Sequence, residues 1–287
     1  MNIIYILGTG RTGTTLLGIA LSNNAHIFDT GEILKFVKLK GLPHGFNERS
    51  DSYKFWQRIY RQLGLKIKIN ETLENTIHQR EYHKYFIKNL FFNRNNERNN
   101  ERYKDYINNF FDVLEDEIDE SIVIDSSKYP GRAMALEKNL SANHNAYYVY
   151  IKRNPISVAR SFAKKDVEQP SKSFLASNLY YFIVNLFCNI FLITINKEKK
   201  ISVKYEDFIA KPEEVLNKIQ MKFKLDLSNS IELIKNNEEL KTGYIFEGNR
   251  IRLNESVVLR KNSSKINPKG MKDFITMIMN GLWYYVK

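Results

Sequence analysis

Cysteine is almost missing from this chain: Cys188 is the one thiol among 287 residues. No internal disulfide can form, and no group of cysteines and histidines has the spacing of a structural zinc site. The expectation is a reducing compartment, the cytoplasm, and no metal. Acid is scarce relative to base, with 32 Asp and Glu against 44 Lys and Arg and a formal charge of +12. Such an excess concentrates anionic partners, and nucleic acid, anionic lipid and a polyanionic co-substrate all qualify. Part of it is also plain solvated surface, because Lys and Asn are used heavily throughout. A leader peptide is not expected either. The opening run IIYIL is short, has no basic residue before it and leads into glycines, so it reads as a buried first strand.

The length suits one large domain or two small ones, and 43% hydrophobic residues can build a continuous core. A single domain over 1–287 with insertions is expected. Strand-like runs bounded by polar turns stand at 2–7 (NIIYIL), 121–125 (SIVID), 146–151 (AYYVYI) and 200–205 (KISVKY). Near-continuous apolarity implies burial on both faces, as in a parallel sheet under helices. The first three runs are followed by helical spacing or helix-start signals, so the expected fold class is α/β: a three-layer α/β/α arrangement with a central parallel sheet. A helical insert fills about 33–118, rich in aromatics, and its polar middle NRNNERNNER reads as a mobile loop. Inserts of this kind carry acceptor specificity on a shared scaffold.

The run FLASNLYYFIVNLFCNIFLITI, 174–195, is long enough to span a bilayer. Asn178, Asn185 and Asn189 nevertheless fall on one narrow stripe at about 100° per residue. That stripe favours a core helix with one face on a polar cavity. Peripheral membrane contact stays open, and a true span is the weakest reading because three amides in hydrocarbon are costly without partners.

GTGRTGTTLL, residues 8–17, follows the first strand. A strand, a glycine-rich turn and a helix starting near Thr14 aim free N–H groups and the positive end of the helix dipole at one spot. Gly10 and Gly13 let the backbone come close, and Thr14 and Thr15 add hydroxyls. A kinase-type loop would place a lysine after its last glycine to manage crowded β- and γ-phosphates. Here that lysine is missing, and the loop's cation is Arg11. One 5'-phosphate carrying a sulfuryl group presents less charge, which an arginine and backbone donors can handle without metal.

These residues resemble the 5'-phosphosulfate loop of the sulfotransferase family, which uses 3'-phosphoadenosine 5'-phosphosulfate (PAPS), with Thr12 in place of the usual serine. A second segment, YYVYIKRNPISVARSF, is a strand followed by Arg153, by Asn154 as N-cap and by Pro155 at the first helical position. It resembles the family's 3'-phosphate motif, which implies that Arg153 and Ser161 clasp that phosphate, the arginine through planar bidentate donors. IVIDSSKYPGRAMAL resembles the middle strand and turn. VKYEDF resembles an element whose tyrosine, here Tyr205, approaches the cofactor, and GNRIR is similar to a late Gly-Asn-x-x-Arg motif closing over the nucleotide, which implies Asn249 and Arg250. The resemblance implies a P-loop-type fold and cofactor contacts from Arg11, Thr12, Gly13, Thr14, Thr15, Arg153, Ser161, Tyr205, Asn249 and Arg250.

Among sulfotransferases, the branch that acts on protein tyrosines carries a Gly-Glu at the distance of Glu32 from the loop, so Glu32 is the implied base. The plain alternative is a first-turn glutamate on the dipole of the following helix. Lys128, after VIDSS, is implied to contact sulfuryl or leaving-group oxygens together with Arg11. Asp125 reads as a turn-forming residue that caps the following serines rather than as a magnesium ligand. The five histidines are expected at the surface. The acceptor is expected to be a glycan, lipid or small molecule, with protein tyrosine open and nucleic acid not expected. A P-loop kinase and a non-catalytic nucleic-acid binder remain the rival readings.

Overall fold

The computed structural model describes residues 1–91, 97–164, 171–262 and 266–285. Five strands, β1 (Asn2–Leu7), β2 (Ile27–Gly31), β3 (Ile122–Lys128), β4 (Asn145–Lys152) and β5 (Lys200–Lys204), form one sheet in the order β2-β3-β1-β4-β5. Every neighbouring pair is parallel. A short antiparallel pair, β6 (Glu239–Lys241) and β7 (Ser256–Val258), stands apart. The helices in chain order are α1 (Thr14–Ser22), α2 (Asp51–Lys66), α3 (Glu71–Glu81), α4 (Phe86–Phe91), α5 (Glu97–Glu117), α6 (Pro130–Asn139), α7 (Pro155–Ala163), α8 (Phe174–Thr194), α9 (Tyr205–Ala210), α10 (Pro212–Phe223), α11 (Ser228–Lys235) and α12 (Met271–Tyr285).

Period-two alternation sorts the strands into two cores. Ile3, Tyr5 and Leu7 of β1, with Tyr148 and Tyr150 of β4, face the insert helices and α8. Ile4 and Ile6, with Val149 and Ile151, face α1, α10 and α11. This is the expected three-layer α/β/α arrangement. The insert is tied to the sheet by a polar cluster in the first core. Arg132 of α6 donates through Nη1 to Glu81 Oε1 at 2.5 Å and through Nε to Asp125 Oδ2 at 2.7 Å, and Tyr103 OH donates to Glu81 at 2.7 Å. Burial pushes the Glu81 carboxyl up to about 7 against the pull of Arg132. We expect Arg132→Met, which strands two buried carboxylates, to destabilise the protein by about 3–5 kcal/mol, read as a lower midpoint in urea unfolding.

Several sequence expectations need correction. β2 was not among the expected strands, because Asp29, Thr30 and Gly31 interrupt its apolar pattern. Those polar groups are partly bonded internally: Thr30 Oγ1 donates to Ile124 O at 2.7 Å and Asp29 Oδ1 accepts from Gly31 N at 2.8 Å, while Asp29 Oδ2 is buried without a partner among the described residues. The polar run 93–102 is helical from Glu97 onward, as the first turns of α5, and its first residues lie outside the described ones. β5, which answers to the expected run 200–205, stops at Lys204, and Tyr205 opens α9 with Glu206 and Asp207 in the first turn, where the dipole favours acids.

The asparagine stripe of α8 does not border a polar cavity. Asn185 accepts from Tyr150 OH at 2.5 Å, Asn189 lies 3.5 Å from the same hydroxyl, and Asn178 accepts from Asn280 of α12 at 2.9 Å. The stripe is the inward face of α8.

Candidate active site

β1 ends at Leu7, and the chain turns through Gly8 to Gly13 before α1 begins at Thr14. Gly13 sits at φ 88°, and a Cβ there would lie 2.5 Å from the Tyr205 ring. Only glycine fits both the backbone and the close approach. Arg11 also has a positive φ, 68°, an uncommon conformation outside glycine that turns it within the loop. The loop is braced from outside by α8, whose Tyr180 hydroxyl accepts from Gly10 N at 3.3 Å.

The second cradle stands next to the first. β4 lies beside β1, so Arg153, just past the end of β4, reaches the loop and donates through Nη1 to Arg11 O at 2.8 Å. Its guanidinium lies 4.2 Å from the Tyr205 ring centroid. Arg153 Nε is buried with no partner among the described residues. Asn154 caps α7 by accepting from Ile156 N at 2.9 Å, and Pro155 takes the first helical position, as expected. Tyr181 OH donates to Arg153 O at 2.8 Å, so α8 supports this cradle too.

Glu32 follows β2, and Lys128 ends β3, its neighbour. Lys128 Nζ donates to Glu32 Oε1 at 2.5 Å. Glu32 precedes only a 3-10 turn, Ile33–Lys35; its partner is Lys128, and a helix-dipole role is set aside. Lys128 holds φ 64°, a strained conformation of a kind found at functional sites. The turn that presents Glu32 is fastened from a distant segment: Phe246 N donates to Thr30 O at 2.9 Å and Glu32 N to Glu247 O at 2.8 Å. Gly31 permits this, since a Cβ would lie 2.5 Å from Glu247 O at φ 71°. Asn249 N then donates to Thr15 Oγ1 at 3.1 Å, closing the ring of elements around α1.

Arg11, Gly13, Thr14, Thr15, Glu32, Lys128, Arg153, Ser161, Tyr205 and Asn249 all line one cavity of about 250 Å³. Its charged lining is three cations and one carboxylate, the balance of an anion site. Two residues of the expected set are not brought into that lining. Thr12 turns its hydroxyl inward to Thr9 O at 2.7 Å, and Arg250 is exposed on a 3-10 turn while Ile251 faces the cavity. The motif's final arginine, Arg252, is buried and donates to His44 O at 2.8 Å, which fixes the closing segment. Asp125 points away from the cavity: it accepts from Ser127 N at 2.9 Å, the expected turn cap, and from Arg132.

Sequence reasoning missed Tyr180, Tyr181 and His83. His83 is not a surface residue: its ring stacks on Tyr129 with centroids 4.0 Å apart and planes 6° from parallel, and both ring nitrogens are buried without partners among the described residues. Burial, with Lys128 nearby, holds the imidazole down to about 4, so it is neutral at physiological pH. Nothing in EYHKYF marks it beyond its aromatic neighbours. His144 is buried as well, bonded to Asp112 at 3.0 Å before β4 begins.

The model of the sulfotransferase family matches residues 3–229. Among solved structures, the sulfotransferase domain from the curacin biosynthetic pathway superposes with a TM-score of 0.54 at 17% identity, covering 98% of this chain and 97% of that one. The sulfotransferase domain of the Synechococcus PCC 7002 olefin synthase gives 0.55 at 16% identity, covering 100% and 96%. No curated protein matches by sequence. At these identities the structural likeness speaks for the fold, and the family model speaks for descent. With a matched span that contains the glycine turn, Glu32, Lys128 and the Arg153 cradle, the chain belongs to the sulfotransferase family.

Proposed function

We propose that the protein moves a sulfuryl group from PAPS to a hydroxyl or amine of an acceptor, with a glycan, lipid or small molecule preferred over protein tyrosine. One observation carries the reading: the glycine turn with Arg11 and the Arg153/Ser161 pair, 142 residues apart at their arginines, open into the same cavity. The residues fit such a donor. Arg153 Nε is a buried donor without a partner among the described residues, Gly13 lets the backbone and the Tyr205 ring come close at the cavity wall, and the cationic lining suits an anion at each end.

PAPS, when bound, supplies the sulfuryl group and departs as 3',5'-ADP. Arg153 and Ser161 hold the 3'-phosphate, and the N–H groups around Gly13 with the hydroxyls of Thr14 and Thr15 hold the 5' end. Glu32 accepts the proton of the acceptor as the new bond to sulfur forms and the bond from sulfur to the 5'-phosphate oxygen breaks in line. Lys128 orients Glu32, and with Arg11 it stands against the negative charge that grows on the departing oxygen. Tyr205 gives the nucleotide an aromatic wall between the two cradles.

A P-loop kinase is the rival. It is disfavoured because the loop has no lysine and because Asp125, the acid that follows the apolar run of β3, is bonded to Arg132. Titration calorimetry in EDTA separates the two. We expect 3',5'-ADP to bind about 100-fold more tightly than ATP, since a two-phosphate match adds roughly one charge-assisted clasp. Magnesium-dependent ATP binding with no preference for the 3'-phosphate would replace the proposal with the kinase reading.

A further inference from the structure

α12 is built inside out. At about 100° per residue, Asp273, Thr276, Asn280 and Tyr284 share the face turned into the protein, where all four are buried. The opposite face carries Phe274, Ile278 and Leu282, which are 59%, 68% and 62% exposed, together with Met271, Ile275 and Tyr285. A helix on a globular surface shows the reverse arrangement. α8, packed beside it, buries a mixed face, with Ser177, Asn178 and Asn185 next to Tyr181, Val184, Cys188, Phe191 and Leu192, and it too exposes apolar side chains outward, at Leu175, Leu179 and Ile193. The two helices are locked together by the Asn280–Asn178 bond and by Phe182 against Trp283, with ring centroids 5.3 Å apart. Exposed apolar side chains gathered on two helices that pack side by side mark something that covers them.

The rim identifies the occupant. Lys269 and Lys272 are exposed at the amino-terminal end of α12, Lys172 at the start of α8, and Lys204 lies 4.6 Å from the Tyr284 ring centroid at the other end. Among the described residues, Asp273 is paired with Arg160 and Glu206 accepts from Asn154 N and Tyr284 OH, which leaves the exposed Asp207 as the one nearby acid with no bond of this kind. An apolar face ringed by cations, on a chain of formal charge +12, complements an anionic lipid surface. A second copy would set the same cations against each other across a two-fold axis. α8 has the hydropathy of a membrane span, but its polar face is bonded to β4 and α12, so it cannot leave the fold to cross. We propose that the outward faces of α8 and α12 seat the protein on the surface of an anionic bilayer, with both helices parallel to it. This stands apart from the assignment of donor and base.

The test is co-sedimentation of the full chain with vesicles of phosphatidylcholine alone or mixed with phosphatidylglycerol, beside light scattering without lipid. We expect binding to the mixed vesicles, little to the neutral ones, and loss of binding in Ile278→Glu/Leu282→Glu, whose positions are exposed and leave the melting curve unchanged. Lys269→Ala/Lys272→Ala should weaken partition by about thirtyfold, at roughly fivefold per lysine. Failure of the wild type to bind mixed vesicles would overturn the proposal, and so would equal binding by the Ile278/Leu282 variant. A dimer in light scattering that the same variant turns into a monomer would also overturn it and assign the face to a second copy.

Discussion

Arg153→Ala is expected to weaken binding of 3',5'-ADP by about 10- to 150-fold, the range that corresponds to removing charge-assisted hydrogen bonds of roughly 1.5–3 kcal/mol. The reason lies in what this side chain does at once. It offers a buried Nε that no atom of the described residues satisfies, it bonds the backbone of Arg11 at 2.8 Å, and it lies over Tyr205. Its loss therefore removes a phosphate donor and loosens the joint between the two cradles. Arg153→Lys keeps the charge but not the planar fork, and should recover only part of the affinity. Ser161→Ala removes one neutral hydroxyl and should cost about threefold to tenfold. Calorimetry on the three variants reads these values directly. Equal affinity in wild type and Arg153→Ala would remove the nucleotide assignment, while a steep salt dependence spread over many surface lysines would favour the nucleic-acid reading.

Glu32→Gln should lower turnover by about 10²- to 10⁴-fold, the usual contribution of a positioned general base, and leave 3',5'-ADP affinity within about twofold. The substitution keeps the size of the side chain and a hydrogen-bonding oxygen for Lys128, but an amide takes no proton. Glu32 and Lys128 come from adjacent strand ends, and their contact at 2.5 Å is fully cross-sheet. Changing Glu32 consequently disturbs neither the glycine turn nor the Arg153 side of the cavity. Steady-state transfer from PAPS with a panel of hydroxyl and amine acceptors measures the first quantity, calorimetry the second. Unchanged turnover would put the base elsewhere, whereas loss of turnover together with nucleotide affinity would make Glu32 a structural support of the loop.

Much of this site could be read in the linear chain, for reasons that differ from residue to residue. Gly13 needs a positive φ and close approach, and Asn154-Pro155 is a cap followed by a first helical position, so both depend on neighbours only a few residues away. The core strands β1, β3 and β4 were legible as well, since burial on both faces leaves an unbroken apolar run. β2 was not, because an edge strand that ends at a site carries Asp29, Thr30 and Gly31, whose hydrogen bonds come from Ile124 and from within the turn. α12 escaped notice for the opposite reason. Its composition looks like a core helix, and only the fold shows that the apolar side faces out.

By itself the sequence determined the α/β class, the glycine turn after the first strand and the cap-and-proline start of α7, which follow from short-range rules of backbone conformation and from unbroken apolar runs, while its motifs carried the family resemblance. Tertiary structure alone decided that Glu32 meets Lys128, that Thr15 fastens Asn249, that Tyr180 and Tyr181 brace the two cradles, and that Thr12 and Arg250 fall outside the cavity. Those contacts join positions far apart in the chain through the strand order β2-β3-β1-β4-β5. That order comes from the packing of whole helices on both faces of the sheet, and no local pattern of side chains encodes it.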